Sequence, residues 1–281
     1  MRICPMPRTA AGVQSATACL VEGGWGTYRQ FHPTFAFYAQ QPNCHPMVAE
    51  DETGRVLGTA VSTSWGSSGW LGHVFVSPEL RGRGLGKELT EHAIQLLRGE
   101  GCGTIQLIAT ALGRPVYDRL GFEVETHYHE YRGTTLPRAV PMAPLRPLLP
   151  VDLDGVLSMD ARVAGEDRSG ALRPLFMSGW VLPGRSRPAG IVVPTPWGGC
   201  LATQLPETVD AEAQAVLRAL RSLSALGDEV WVYPTTENAI ARELLSSQGF
   251  EEVRMIPRLV LGPRVAWMPQ AVWSPLGLGL G

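Results

Sequence analysis

Residues 79–89 read ELRGRGLGKEL and place two arginines and three glycines directly before a stretch with helical apolar spacing. Glycine adds no side-chain packing and loses more backbone freedom on folding than other residues, so this cluster needs a reason. Bare backbone N–H groups that converge at a helix start attract anions, and the helix dipole favours negative charge there. Since Arg81 and Arg83 add positive charge, the stretch predicts a loop for a phosphate-bearing ligand.

The elements around this loop follow from apolar periodicity. Residues 45–65 predict a hairpin with its turn at residues 52–54, and residues 69–78 predict the next strand. The helix after the loop is predicted to have Gly99 as its C-terminal cap, and it carries its apolar residues on one face: Leu85, Leu89, Ala93, Leu96 and Leu97. Residues 103–110 predict a strand, and residues 113–125 predict a short helix closed by Gly121 and a last strand.

The same order of elements returns in the second half of the chain. Residues 133–150 contain five prolines and predict an extended connector between two halves. Gly99, Gly121 and Phe122 recur 128 positions later as Gly227, Gly249 and Phe250, which indicates a tandem duplication. At that offset the second copy lacks the arginines and glycines of the loop and has Val209, Ala211, Glu212 and Gln214 instead. A helix start does not require them, which favours the anion-binding interpretation.

Two common phosphate loops do not fit the segment. A dinucleotide fingerprint would open a parallel strand–helix unit, whereas the strand before this loop belongs to an antiparallel series. A P-loop would have Ser or Thr after its lysine, whereas Glu88 follows Lys87.

Composition excludes several other classes. The 281 residues carry a net charge of −2, so no large positive field exists to hold nucleic acid or an anionic membrane. The five cysteines are dispersed without a CxxC pair, which predicts reduced thiols in the cytoplasm. Cys44-His45 and His127–His129 lack the spacing of a zinc site, and no metal is expected. No apolar run approaches membrane-spanning length, and neither a signal peptide nor a transmembrane helix is expected.

Two segments resemble the signatures of the GNAT N-acetyltransferase family. Residues 74–89, VFVSPELRGRGLGKEL, are similar to its acetyl-CoA signature, and residues 115–125, PVYDRLGFEVE, are similar to its final helix-to-strand corner. The resemblance implies an α/β (α+β) fold with two tandem GNAT-like domains, each a mixed, mostly antiparallel sheet flanked by helices. Residues 1–140 would form the acetyltransferase domain and residues 141–281 a degenerate copy.

This resemblance assigns residues to acetyl-CoA. The backbone of Val74, Phe75 and Val76 would run beside the pantetheine arm where two strands splay apart. The pyrophosphate would lie on the loop that consists of Arg81, Gly82, Arg83, Gly84, Leu85, Gly86 and Lys87.

It also places a tyrosine hydroxyl near the cofactor sulfur, which here is Tyr117, the candidate general acid. The alternative is a core aromatic residue that pins a short helix. His73 is the candidate base, or else a satisfied, partly buried histidine. Trp65 and Trp70 either line an acceptor pocket or pack in the core. Thr110 stands where the family often has an asparagine, so a hydrogen bond from that asparagine to the cofactor is not expected here.

The second half resembles the GNAT-like domain of the YitH type through Asp160, Gly165, Asp167 and Arg168. Asp167 and Arg168 either begin a helix or recognise the acceptor from a cleft between domains.

The function expected from these features is transfer of an acetyl group from acetyl-CoA to a primary amine of a small molecule or peptide, in the bacterial cytoplasm. The alternative is a non-catalytic acyl-CoA-binding or regulatory module. Nucleic-acid and membrane partners are not expected, and the oligomeric state, monomer or homodimer, stays open.

Overall fold

A computed structural model describes residues 1–134, 145–176, 178–184, 188–194, 200–204, 229–277 and 279–280. They divide into two compact units. Unit 1 contains Met1–Glu125, Arg258–Arg264 and residues 279–280, and unit 2 contains the described residues of Thr126–Pro257 and Val265–Gly277. Arg258–Arg264, a segment from the second half of the sequence, therefore belongs to unit 1. The division into 1–140 and 141–281 stays a prediction about the two sequence copies.

The sheet of unit 1 is mixed and mostly antiparallel. Strands β1 (Arg2–Pro5), β2 (Cys44–Glu50), β3 (Val56–Trp65) and β4 (Ser68–Val76) pair in that order and antiparallel. Strand β5 (Thr104–Ile108) pairs parallel to β4, and Arg258–Leu261 pairs antiparallel to β5. The predicted hairpin is confirmed, with Gly54 at φ +82° in its turn.

Four helices accompany this sheet: α1 (Ala10–Glu22), α2 (Tyr28–Gln40), α3 (Leu85–Gly99) and α4 (Arg114–Arg119). Leu85, Leu89, Ala93 and Leu97 of α3 are buried in the core of unit 1, as their spacing predicts. Helix α3 ends at Gly99, but the predicted cap position of this glycine needs correction, because Glu100 is the cap residue and the left-handed glycine is Gly101, at φ +88°. The Cys102 N–H after it donates to the Leu97 carbonyl at 3.0 Å.

Unit 2 contains a second sheet and three described helices. The sheet order is β13 (Val272–Ser274), β10 (Cys200–Gln204), β9 (Pro188–Pro194), β8 (Trp180–Pro183) and β7 (Arg146–Pro147). The helices are α5 (Leu153–Ala164), α6 (Ser169–Phe176) and α7 (Ala239–Ser247). Strand β6 (Glu123–Thr134) pairs with β11 (Glu229–Val232), and strand β12 (Glu251–Leu261) runs from unit 2 into unit 1. The core of unit 2 includes Tyr131, Leu182, Val232, Leu245 and Trp273.

One corner of the fold occurs in both units at the predicted offset. Gly121 has φ +86° and the Phe122 N–H donates to the Tyr117 carbonyl at 3.1 Å. The matching Gly249 has φ +79° and the Phe250 N–H donates to the Leu245 carbonyl at 3.0 Å. The two helices end in the same way, which supports the predicted duplication. The predicted helix at 211–227 and the aligned positions 209–214 lie outside the described residues.

Candidate functional site

The glycine-rich loop in unit 1 connects the end of β4 to the start of α3. A single 3₁₀ turn, Pro78–Leu80, follows the strand. Gly82 and Gly84 then take left-handed φ values of +75° and +91°, and Gly84 is the N-cap residue of α3. These two glycines are therefore required by backbone conformation as well as by any ligand.

The loop presents a row of free backbone donors. Within the described part of the chain, the N–H groups of residues 82–87 donate no hydrogen bond, and the first bonded amide of α3 is that of Glu88, to the Gly84 carbonyl at 3.1 Å. A methyl group added at Gly82 would meet nothing within 4 Å, and at Gly86 it would meet one Val76 methyl at 3.7 Å. Gly86 has no conformational or packing need for glycine, so its bare backbone points to a ligand.

Three positive side chains belong to this loop. Arg81 is exposed, donates from Nε to the Val76 carbonyl at 3.1 Å, and stacks its guanidinium over Phe75. Arg83 is exposed and forms no ion pair among the residues described here. Lys87 pairs with Glu91 at 2.8 Å on the surface of α3. The geometry suits a phosphate group, which Arg83 is free to approach.

Strands β4 and β5 separate beside this loop. Their parallel pairing runs from Ser68 to Leu71 of β4 and stops there. On the other side of β4, Thr59 pairs with Phe75 and Val61 pairs with Gly72, so that His73 and Val74 form a bulge. Val74, Phe75 and Val76 therefore lie on a strand whose edge toward β5 is unpaired, the arrangement expected beside a pantetheine arm.

His73 lies in that bulge within an aromatic cluster. Its φ of +51° is a left-handed value for a non-glycine residue, and the Thr59 hydroxyl donates to its carbonyl at 2.7 Å. Its Nδ1 lies 3.2 Å from the Tyr38 hydroxyl, and its ring makes edge contacts with Trp25, Phe31 and Phe35. Burial lowers the pKa of His73 to about 4. Its imidazole is therefore neutral at pH 7, and its role as a base stays a prediction.

Tyr117 is buried on α4 with its ring against Phe122 and close to Gly113. Its hydroxyl forms no hydrogen bond to a described residue. Burial raises the pKa of Tyr117 to about 12, so that the phenol stays protonated at neutral pH and is able to donate. The Thr110 hydroxyl accepts from the Gly113 N–H at 3.2 Å and caps the turn before α4.

The two tryptophans near β4 are core residues. Trp65 is 6% exposed, and Trp70 is fully buried with the Arg258 guanidinium 4.8 Å from its ring. Of the two alternatives for Trp65 and Trp70, an acceptor pocket or core packing, the structure shows core packing.

In unit 2, residues 160–168, for which the resemblance to YitH-type domains stays a prediction, form a helix corner. Gly165 ends α5 at φ +73°, and Asp167 caps the next turn by accepting from the Ser169 N–H at 3.0 Å. Arg168 is buried and forms a bidentate pair with the buried Asp160, with Nη2 and Oδ1 2.6 Å apart. This pairing explains the motif structurally, while an acceptor role for Asp167 and Arg168 stays a prediction.

Helix α2, which supplies much of the surroundings of His73, is not among the elements predicted from the sequence. Phe31, Phe35 and Tyr38 lie at helical spacing in residues 28–40, and this spacing is the sequence pattern that indicates the helix. Pro33 inside this segment obscured it, because proline is disfavoured in a helix interior.

Among the described residues, no group of His, Cys, Asp or Glu side chains is arranged to hold a metal ion. Of the helices described, none is both long and apolar enough to cross a membrane.

Comparison with known proteins gives a consistent result for unit 1. Residues 14–122 match the model of the acetyltransferase (GNAT) family. A mycothiol acetyltransferase of Arthrobacter sp. (strain FB24) is 38% identical over 85 residues, which cover 27% of this chain and 26% of that protein. The match thus spans about a quarter of the length of this curated relative.

Solved structures share the fold along nearly the whole chain. A candidate acetyltransferase from Pyrococcus horikoshii has a TM-score of 0.81 and 17% identity, covering 99% of this chain and 96% of its own. A tandem GNAT protein from the clavulanic acid biosynthesis pathway has a TM-score of 0.60 and 16% identity, covering 94% and 99%. These likenesses show the fold. The family match, by itself, shows that residues 14–122 of this chain are a domain of the acetyltransferase (GNAT) family.

Proposed function

We propose that unit 1 transfers an acetyl group from acetyl-CoA to a primary amine of a small molecule or peptide. The observation that carries this proposal is the loop of residues 82–87, whose N–H groups are unpaired beside open space at Gly82 and Gly86. A pyrophosphate fits these donors, and the unpaired edge of β4 beyond Leu71 offers backbone groups to the pantetheine arm.

The relative named a mycothiol acetyltransferase supports acetyl transfer in general, and its name is not used to assign an acceptor to this chain. Cys4, Cys19, Cys44 and Cys102 are free thiols, which supports the proposal that the protein works in a reducing bacterial cytoplasm.

Acetyl-CoA, when bound, supplies an activated thioester. The chain's own contribution begins with Gly82, Arg83 and Gly86, which hold the phosphates through backbone N–H groups, while the guanidinium of Arg83 adds charge. Tyr117 holds a proton on its hydroxyl for the departing sulfur. The Tyr117 phenol has a pKa of about 12, whereas an ordinary thiol has a pKa of about 8.5. Proton transfer from the phenol to the thiolate therefore costs about 5 kcal/mol. Because the same apolar surroundings raise the pKa of the thiol, this cost falls inside the site.

The alternative, a non-catalytic acyl-CoA-binding module, is favoured by one observation. His73 has a pKa of about 4 and its Nδ1 is already hydrogen-bonded to Tyr38, so that it is a weak proton acceptor for an amine. An enzyme that relies on His73 would need its Nε2 to act through a water molecule, or would take amines that are already neutral.

Calorimetry with acetyl-CoA and an assay of CoA release over a panel of amines test both possibilities. We expect one acetyl-CoA per chain, because the second copy lacks the loop residues, and CoA release with at least one amine. Binding without turnover would favour the binding module. Two equivalent sites would contradict the assignment of the ligand to the loop of unit 1, and absence of binding would exclude both functions.

A further inference from the structure

Unit 2 contains a chain of three polar side chains that the proposed function does not use. The Thr236 hydroxyl lies 3.0 Å from His129 Nε2, and His129 Nδ1 lies 2.8 Å from Glu252 Oε1. The side chain of His129 is 7% exposed, whereas Thr236 lies at the surface. A hydroxyl, an imidazole and a carboxylate joined in this order are the parts of an activated nucleophile.

The backbone fixes the positions of the hydroxyl and the imidazole. The His129 N–H donates to the Pro234 carbonyl at 2.8 Å, and the Thr236 N–H donates to the His127 carbonyl at 2.9 Å. Tyr128 and Thr235 form a β-bridge between these two bonds. The loop that carries Thr236 is therefore held to β6 like an added strand, and the contact of Thr236 with His129 does not depend on a flexible segment.

The carboxylate is also fixed. Glu252 Oε2 accepts a second hydrogen bond, from the Tyr131 hydroxyl at 3.0 Å. Burial acts to raise the pKa of Glu252, but the hydrogen bonds from His129 and Tyr131 outweigh it and lower that pKa. Because an ionised carboxylate only accepts hydrogen bonds, His129 donates to it from Nδ1, and in the neutral imidazole Nε2 is then the atom that accepts from Thr236. The Thr236 hydroxyl has one competing acceptor, the His127 carbonyl at 3.4 Å, which is the longer contact.

We propose that Thr236, His129 and Glu252 form a second acyl-transfer site, in which Thr236 is acylated by activated acyl esters. The Thr236 oxygen attacks the carbonyl carbon of the ester, and its proton passes to His129 Nε2. The bond from the carbonyl carbon to the leaving oxygen breaks, and the leaving group departs with the proton from His129. The product is an acyl ester on Thr236, with no oxidant or reductant involved. Glu252 is a positioning residue that orients the imidazole.

The probe for this reaction is p-nitrophenyl acetate with the full chain. We expect one equivalent of p-nitrophenolate to be released and peptide mapping by mass spectrometry to find an acetyl ester on Thr236. Thr236→Val should abolish the ester, and Thr236→Ser should retain it. Thr53→Val is the matched control, because the exposed Thr53 hydroxyl bonds to the Asp51 carboxylate without an imidazole, and it should leave the reaction unchanged.

Variants of the other two residues test how Thr236 is activated. His129→Gln should slow acylation by ~10²-fold or more, as loss of a general base does. Glu252→Gln should also slow it, but should add nothing in the background of His129→Gln, because a residue that acts through the imidazole has no effect once the imidazole is gone. A merely structural role for Glu252 would instead give additive effects.

Thermal melts of each variant separate loss of activation from loss of folding. If His129→Gln does not fold, Glu252→Gln carries the test, because its side chain is 40% exposed and an amide retains the bond from Tyr131. An acylation rate within threefold of the unchanged protein in either folded variant, or an ester at sites other than Thr236, would overturn the proposal. These outcomes are independent of acetyl-CoA binding in unit 1, since the probe has no phosphate.

Discussion

At the scale of single residues, burial decides what the two candidate catalytic side chains are able to do. It raises the pKa of Tyr117 to about 12 and lowers that of His73 to about 4. Both shifts favour the neutral form, so the site around β4 and α4 starts from an uncharged phenol and an uncharged imidazole at pH 7. A neutral phenol is a proton donor, and a neutral imidazole of low pKa is a poor proton acceptor.

Replacing Tyr117 by Phe tests the first of these roles. The ring contact with Phe122 is retained, and the lost hydroxyl has no hydrogen bond to a described residue, so the melting temperature should change little. Turnover should fall by ~10²-fold or more with acetyl-CoA affinity nearly unchanged, as measured by CoA release and calorimetry. A decrease of less than about threefold, with chemistry rate-limiting, would mean that Tyr117 only packs.

The buried imidazole predicts a pH dependence of stability. The pKa of His73 falls from its ordinary 6.5 to about 4 in the folded protein, so that between these values the unfolded state binds a proton that the folded state does not. The free energy of unfolding should therefore decrease as pH falls from 6.5 to 4, by at most about 3 kcal/mol, and this contribution should level off below pH 4.

Urea titrations from pH 7.5 to 4 measure this dependence. His73→Gln should remove the part due to His73, whereas His92→Gln, at an exposed position on α3, should retain it. Equal slopes for both variants would contradict the burial of a neutral imidazole.

At the scale of elements, the start of α3 contains glycines that the backbone conformation requires and one glycine, Gly86, that we propose is required by a ligand. Gly84 has φ +91°, so Gly84→Val would strain the backbone as well as obstruct a ligand. The comparison with the second copy predicted that the fold tolerates this change, but the aligned Glu212 lies outside the described residues. Gly86 is helical and has room for a methyl group, which makes it the better position for a test.

We expect Gly86→Ala to stabilise the fold by up to about 1 kcal/mol, because alanine loses less backbone entropy in a helix than glycine. It should weaken acetyl-CoA binding by about tenfold or more, because the methyl group stands where phosphate approaches the backbone. The matched control is Gly99→Ala at the other end of α3, where a methyl group meets nothing within 4 Å. Melts and calorimetry should show the same stabilisation in both variants and loss of binding only at position 86; unchanged binding there would refute the loop assignment.

At the scale of the whole molecule, the first sheet is completed by residues far away in sequence. Arg258–Leu261 pairs with Ile105–Ile108 of β5. Arg258 is buried in unit 1, where its Nε lies 2.7 Å from Glu125 Oε2 and its guanidinium also bonds to the Gln106 side chain. Removal of the segment would leave an unpaired strand edge and a buried carboxylate without its cation.

A fragment of residues 1–140 is therefore expected not to fold cooperatively. In the full chain, Arg258→Ala should lower the free energy of unfolding by about 3–5 kcal/mol, since it leaves Glu125 buried and unpaired. Circular dichroism melts of the fragment and denaturant titrations of the variant provide the measurements. A fragment that melts cooperatively and binds acetyl-CoA like the full chain would show that the sequence half is a complete domain.

The sequence by itself determined those helices, strands and turns that depend on residues close together along the chain. Apolar spacing predicted β2–β5 and α3, because burial of one face imposes a period on the chain. Glycines at 54, 121 and 249 marked turns correctly, since their positive φ values suit glycine over other residues. The resemblance of residues 74–89 and 115–125 to two GNAT signatures indicated the family that the match over residues 14–122 shows.

Only the tertiary structure decided how distant groups meet. The left-handed glycine at 101 in place of the predicted cap at 99, the pairing of Arg258–Leu261 with β5 and the contact of Tyr38 with His73 all depend on which segments pack together. The chain of Thr236, His129 and Glu252 joins residues more than a hundred positions apart. Side-chain chemistry of this kind has no periodicity in sequence, because strand pairing and not local spacing brings the atoms within hydrogen-bond distance.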